Sequence, residues 1–312
     1  MNVYKDIALI GKNINTVLTI GTFDGFHFGH QKIIEIVKSE AERNKGRSLL
    51  ITFEPHPRSV ISRNYDLKLL TTTEEKISLM GEAGLDNILI INFTKDFSEL
   101  SAEKFIREYI VEKIGVSKLI IGHDHRLGKD RVGDESKLKE LGKLFSFSVL
   151  PVNAVKINGE IINSTKIRNA LLQGDLEKAN AFLGRYYSLS GKVVTGAKRG
   201  MSLGFPTANI ELEEKHKLIP AYGIYIVEFY VKSVMHYGLM NIGTRPTFED
   251  SQQVVIEVYL YDFDRDIYGE YVTVNIVKRL REEVKYPNKE ELIRQMEIDK
   301  INGTKIIQSL IN

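Results

Sequence analysis

Two histidines three residues apart, His27 and His30, close the run GTFDGFHFGH at residues 21–30, which lies between an apolar strand-like segment and a helix-patterned stretch starting near Gln31. A strand that turns through Gly21, Gly25 and Gly29 into a helix start presents free backbone N–H groups and the positive end of the helix dipole, and both attract phosphate. At that spacing both imidazoles can project toward one anion and donate to its oxygens. Nucleotidyl transfer needs such donors, because charge builds on the α-phosphate and on the departing pyrophosphate, while no protein nucleophile is required. A histidine pair in a loop is also compatible with a hydrogen-bonded surface turn; the preceding strand and the GTFDG run, with Phe23 and Asp24 inside it, favour the phosphate reading.

Other segments carry related chemistry. NSTKIR at 163–168 places the hydroxyls of Ser164 and Thr165 at a helix start and the Arg168 guanidinium one turn later, where its planar fork suits triphosphate oxygens. The plainer reading makes Ser164 an N-cap and leaves Arg168 in water. GHDHRLG at 122–128 follows an apolar strand and opens Asp124 at the same sheet edge. His123 and His125 invite a zinc reading, but a catalytic zinc needs three protein ligands held by oriented partners, and no third ligand assembles here.

Farther along, GKVVTGAKRGMSLGFPTAN at 191–209 reads as a strand, a basic loop punctuated by Gly196 and Gly200, and a turn through Pro206. The glycines let backbone amides approach phosphate, and the Thr207 hydroxyl and Asn209 amide oxygen are hard ligands suited to Mg²⁺ bridging a nucleotide. In the strand around 254–261, Val254, Ile256, Val258 and Leu260 share one face, leaving Glu257 on the other with Val255, Tyr259 and Tyr261. A carboxylate among apolar neighbours is expected to be desolvated, and desolvation raises its pKa toward general-base duty.

These residues need elements to hold them. The 312 residues are ordinary globular material of about two domains, with a net charge of +2 and basic and acidic side chains interleaved, so no nucleic-acid partner is expected. The absence of cysteine excludes disulfides, thiolate metal sites and cysteine nucleophiles. The polar start and the lack of a membrane-length apolar run point to a cytoplasmic protein with no membrane partner. Up to residue 183, strand-like runs at 17–20, 48–53, 87–91, 118–121 and 148–152 alternate with helical stripes such as Ile33, Ile34, Val37 and Ala41. Thr72 and Glu75 form a capping box, and Phe105, Ile106, Tyr109 and Ile110 form another apolar stripe. The alternation predicts an α/β domain, a parallel sheet covered by helices on both faces, over 1–183. Beyond a linker at 184–187, strands at 188–194, 224–231, 236–240, 254–261 and 271–277 predict an antiparallel barrel or sandwich over 184–312. A last helix follows Pro287, capped by Asn288 and Glu291 and burying Leu292, Ile293, Met296 and Ile301.

Taken in order, GTFDGFHFGH, TFEPHP, GHDHRLG, NSTKIR, LGFPTANI, NIGTRPTF and EVYLYDFDRDIYG make the chain resemble, over essentially its whole length, the bacterial bifunctional riboflavin kinase/FAD synthetase family. The resemblance implies a Rossmann-like FMN adenylyltransferase domain followed by a riboflavin kinase barrel. It implies that riboflavin, FMN and ATP are the small-molecule substrates and that FAD is the final product. By the same likeness His27 and His30 bind ATP phosphates, Ser164, Thr165 and Arg168 form a second phosphate-facing motif, Thr207 and Asn209 hold Mg·ATP, and Glu257 is the kinase base. The LREEVKY run at 280–286, with Arg281, resembles the family's flavin-adjacent stretch. The chain departs from the family at His125 and Leu127, where aromatics are usual, and at Asn163, Met201 and Tyr186. Loss of the aromatics is expected to weaken flavin packing, and loss of a cation at Met201 removes a charge-assisted hydrogen bond of roughly 1.5 to 3 kcal/mol. A monomer or weak homo-oligomer is expected. A different nucleotidyltransferase with an unrelated barrel, or a flavin-binding regulator that has lost turnover, are the competing readings.

Overall fold

The computed structural model describes residues 1–62, 66–123, 125–129, 133–196, 205–246 and 252–311, with backbone alone at 245, 246, 252 and 253. Asp124, Gly200 and Met201 lie outside the described residues. The chain divides into two compact units, Met1–Ser164 and Thr165–Asn312.

In the first unit, six parallel strands stand in the order β1-β4-β3-β2-β5-β6. They are β1 (Asn2–Tyr4), β2 (Val17–Ile20), β3 (Ser48–Glu54), β4 (Asn87–Asn92), β5 (Lys118–Gly122) and β6 (Ser148–Val152). All four residues of β2 are buried, because helices on both faces leave a central parallel strand no polar side. From β2 the chain builds outward through β3 to β4, then returns to place β5 on the other flank of β2. Strand order therefore reverses between β2 and β5, the switch point beyond whose carboxyl ends sheets of this kind bind ligands. The GTFDGFHFGH and GHDHRLG runs leave β2 and β5 at that edge.

Helix α1 (Phe28–Arg43) turns Ile34, Val37 and Ala41 inward at helical spacing. A later helix, Thr73–Glu82, starts with the expected box: Thr72 Oγ1 accepts from Glu75 N at 3.1 Å, and Glu75 Oε2 accepts from Thr72 N at 3.0 Å. Phe105, Ile106 and Ile110 are buried, the last two within a π-helical stretch, Ile106–Ile114. The edge strand β1, exposed and three residues long, carries too little apolar pattern to be read from sequence.

The second unit begins with two helices, Thr165 to Gln173 being the bulk of the first and Leu176–Leu183 the second. It continues as a closed antiparallel barrel in the order β10-β13-β12-β11-β14-β9. Its strands are β9 (Tyr187–Val194), β10 (Thr207–Leu212), β11 (Gly223–Val231), β12 (Val234–Pro246), β13 (Gln252–Leu260) and β14 (Tyr271–Glu282); β7 (Lys156–Ile157) and β8 (Glu160–Ile161) form a small hairpin in the first unit. The β9–β10 pairing, Asn209 opposite Val194 to Leu212 opposite Gly191, closes the cylinder and excludes a sandwich. Leu189, Tyr225, Val227, Phe229, Met240, Ile242, Val258, Val274 and Ile276 are buried inside it.

The last helix, Lys289–Ile311, is capped as expected, Asn288 Oδ1 accepting from Glu291 N at 2.9 Å. Its buried face differs from the sequence reading. Ile301 is 56% exposed, and the buried positions are Asp299, Gly303 and Ile307. The stripe continues through an acid and a glycine because Asp299 meets Arg281 and Gly303 lies against the Tyr261 hydroxyl, contacts that an apolar search cannot register.

Candidate functional site

At the end of β2 the backbone enters positive φ at Phe23, Gly25 and Phe26, a coil that swings the chain up to the start of α1. Asp24 pins it from inside. Its carboxylate, in a residue only 2% exposed, accepts from Leu70 N and Thr71 N at 3.0 Å each and from Thr71 Oγ1 at 3.2 Å. Thr71 Oγ1 also accepts from Gly25 N at 3.1 Å, and the Asp24 carbonyl accepts from Ser164 Oγ at 2.8 Å. Asp24 thus acts on the loop from the interior, and the Ser164 hydroxyl bonds to its backbone.

His27 is the N-cap of α1: its Nδ1 accepts from His30 N at 3.4 Å. The His27 and His30 rings stack with centroids 3.7 Å apart and planes 15° apart, and Phe23 packs on His30 at 4.7 Å. With Nδ1 accepting, the neutral His27 ring carries its proton on Nε2, where it can be donated. Gly29 leaves the stack room, since a Cβ there would stand 3.2 Å from the His27 ring and push it by a few tenths of an ångström. At Gly21 a Cβ would stand 3.0 Å from the Phe23 ring. The result is a helix N-terminus with two stacked imidazoles, a geometry suited to an anion.

Sequence reasoning passed over Lys76. It is 8% exposed, its Nζ donates to Thr52 Oγ1 at 3.3 Å, and Thr52 Oγ1 donates to the Thr22 carbonyl at 3.3 Å. Burial holds the Lys76 ammonium below the ordinary lysine range, with the Asp24 and Glu54 carboxylates acting against that shift. The signal available was a lysine on the inward side of the Thr73–Glu82 helix. Leu127, where the family usually has an aromatic, is 9% exposed and belongs to the core cluster with Phe105 and Leu138. An aliphatic side chain there fills the interior. His123 is exposed and His125 half-buried. Among the described residues no three His, Asp or Glu side chains form a metal-binding group.

On the barrel, β13 alternates as expected: Ile256, Val258 and Leu260 are buried, while Glu257 and Tyr259 are half-buried on the outer face. Register decides what surrounds Glu257. Asn209 of β10 stands opposite it on one side and Asn241 of β12 on the other, while Thr207 stands opposite Tyr259. Directly opposed residues have Cβ atoms about 4.5 to 5.5 Å apart. Along its own strand Glu257 has apolar neighbours, but across strands it has two amides, so the expectation of a carboxylate alone in apolar surroundings is corrected.

Gly196 lies against the Asn209 side chain. A Cβ built on it would fall 2.1 Å from Asn209 Nδ2 and 2.4 Å from Oδ1, so only glycine leaves the amide its place. Pro206 is exposed, and Phe205 packs edge-on against Tyr259 at 5.4 Å. Arg281 is engaged by the last helix: Nε and Nη2 reach the Asp299 carboxylate at 3.0 and 2.6 Å, and Gln295 Nε2 donates to the same carboxylate at 2.9 Å. Thr165 and Arg168 sit in the first turn and a half of the helix that opens the second unit.

Comparison with known proteins agrees with this layout. Residues 10–166 match the family model for FAD synthetase and residues 183–307 that for riboflavin kinase. The chain is 40% identical over 290 residues to the bifunctional riboflavin kinase/FMN adenylyltransferase of Listeria monocytogenes, covering 92% of this chain and 91% of that one. It is 36% identical over 301 residues to the protein of the same name from Bacillus subtilis, covering 95% and 93%. A solved structure described as a macrolide-efflux protein from Streptococcus pneumoniae superposes with a TM-score of 0.87 at 28% identity, covering 96% of each chain. Among the described residues of this chain no helix is long and apolar enough to cross a membrane. With both family models matched in order and relatives aligned nearly end to end, the chain belongs to the bifunctional riboflavin kinase/FMN adenylyltransferase family.

Proposed function

We propose that this chain converts riboflavin to FMN and FMN to FAD at two separate sites, with the carboxylate and the histidines described above in distinct roles. The observation that carries the kinase half is the outer-face row in which Glu257 is paired with Asn209. The terminal ribityl hydroxyl of riboflavin attacks the γ-phosphorus of ATP, Glu257 takes the hydroxyl proton, and ADP leaves. Thr207 and Asn209 offer neutral hard oxygens on one face, with the Asn209 amide held against Gly196, a donor set that fits Mg²⁺ carried in with ATP. When bound, that ion would offset charge on the phosphates. By their motif Gly196 and Gly200 are assigned to the phosphates, and Pro206 directly precedes β10.

The observation that carries the adenylylating half is the His27–His30 stack at the start of α1, beyond the strand switch. A phosphate oxygen of FMN attacks the α-phosphorus of a second ATP and pyrophosphate leaves; the nucleophile is already anionic and needs no base. His27 and His30 donate to phosphate oxygens, while Thr165 and Arg168 neutralise further charge. Asp24 and Ser164 act by fixing the loop, and Gly21, Phe23 and Gly29 by shaping it. Asp124 is assigned to the same site by its motif. Residues 1–183 carry this activity and 184–312 the phosphorylation, with Arg281 bracing the flavin-adjacent stretch. The chain works in the cytoplasm as a monomer or weak oligomer on small molecules, with no nucleic-acid partner.

The test is incubation of the full chain with riboflavin, ATP and Mg²⁺, followed by chromatographic separation of flavins. Accumulation of FMN and then FAD is expected. FAD formed only from added FMN would remove the kinase half, and no product at all would leave a flavin-binding regulator.

A further inference from the structure

Asn241 opens the NIGTRPTF run and has no part in the roles assigned above. In register it stands directly opposite Glu257, on the flank away from Asn209, so that β10, β13 and β12 carry a row of Asn209, Glu257 and Asn241 on the outer face of the barrel. The residue is half-buried, and its Oδ1 is fully buried with no hydrogen-bond partner among the described residues. A buried acceptor left unpaired is unfavourable, and one kept beside a reacting carboxylate calls for a functional account, a catalytic role or a bound group that meets it.

Which ligand group meets it follows from the order of the row. Displacement at phosphorus places the attacking oxygen opposite the leaving group. With the nucleotide on the Asn209 side of Glu257, the attacking alcohol comes from the Asn241 side. Two residues on, Gly243 shares the Asn241 face, and a Cβ there would fall 2.1 Å from Glu283 Oε1. Acceptors therefore line this flank: Glu257, Asn241 and the Glu283 carboxylate. A row of acceptors selects a ligand rich in donors, and a polyol is such a ligand. Whichever end of the Asn241 amide faces the ligand, a hydroxyl can answer it, since it both donates and accepts.

Resting on the kinase reading, we propose that Asn241 is a specificity-determining residue of the phosphorylation site, hydrogen-bonding a hydroxyl of the polyol chain whose terminal hydroxyl Glu257 deprotonates. It holds the alcohol and leaves the nucleotide untouched.

The experiment measures KM for riboflavin and for ATP separately in the full-length chain, in wild type, Asn241→Leu and Asn241→Asp, with FMN-to-FAD conversion as the measure of an intact fold. For Asn241→Leu the riboflavin KM is expected to rise about tenfold, the ATP KM to stay within about twofold, and FAD formation from FMN to be unchanged. Asn241→Asp keeps an acceptor, so its riboflavin KM stays near that of wild type. An unchanged riboflavin KM in Asn241→Leu, a parallel rise in both KM values, or an Asp variant as impaired as the Leu variant would each overturn the assignment. Failure of the kinase reading is distinguishable, because wild type itself would then form no FMN.

Discussion

His27 joins structure to chemistry through a single ring. Its Nδ1 caps α1 and so leaves Nε2 as the donor, which makes the helix start and the proposed phosphate contact inseparable. His27→Ala is expected to slow FMN adenylylation about 10²-fold, as loss of one charge-stabilising donor does, and to lower stability by about 1 kcal/mol through loss of the cap. Riboflavin phosphorylation should be unaffected, and flavin chromatography with a denaturant titration checks both parts. Lys76 gives a pH prediction. Its folded pKa is lowered, so between that value and the ordinary lysine range the unfolded chain binds more protons and stability rises with pH. The contribution is largest above the ordinary lysine value and is lost as pH falls to the lowered one. Lys76→Met is expected to flatten that rise, read as thermal midpoints across the alkaline range. The histidine loop was legible in the residues themselves because glycine spacing and a histidine pair are local signals. Lys76 was not, because its burial is set by tertiary packing and the carboxylates that act on its charge, Asp24 and Glu54, lie far away in sequence.

Elements place these groups, and some leave little trace in sequence. Strand β10 is only Thr207–Leu212, follows a glycine-rich run and is recognisable mainly by its partners on both sides. Alternation along β13 correctly put Glu257 outside the barrel core, yet the amides beside it depend on a register that no single strand encodes. In the last helix, Asp299 interrupts the apolar stripe because it is paired with Arg281, with side chains only 6% and 22% exposed. Arg281→Ala would strand a buried carboxylate, and a loss of about 3 to 5 kcal/mol is expected in denaturant unfolding of the second unit. Gly196→Ala tests a different coupling. A methyl there meets the Asn209 amide, so riboflavin phosphorylation should fall while FMN adenylylation and the unfolding midpoint stay near wild type. A large loss of stability instead would mean that Gly196 serves the barrel rather than the site.

At the scale of the whole molecule, the proposed sites use two architectures in two different ways. The parallel sheet places a helix N-terminus at a strand switch, and the barrel places side chains on its outer face. The change from helix–strand alternation to successive strands made that division readable, since a parallel sheet needs crossover helices and an antiparallel barrel does not. Closure of the barrel was not readable, because it rests on the β9–β10 pairing across a basic loop. If the carboxylate and the histidines serve separate sites, each can be removed without the other. The most direct measurement takes full-length Glu257→Gln and the doubly substituted His27→Ala, His30→Ala chain and assays each alone, then both mixed, with riboflavin, ATP and Mg²⁺. The first is expected to make no FMN yet convert added FMN to FAD, the second to stop at FMN, and the mixture to carry riboflavin through to FAD. A folded variant of either kind that had lost both reactions would contradict the two-site arrangement.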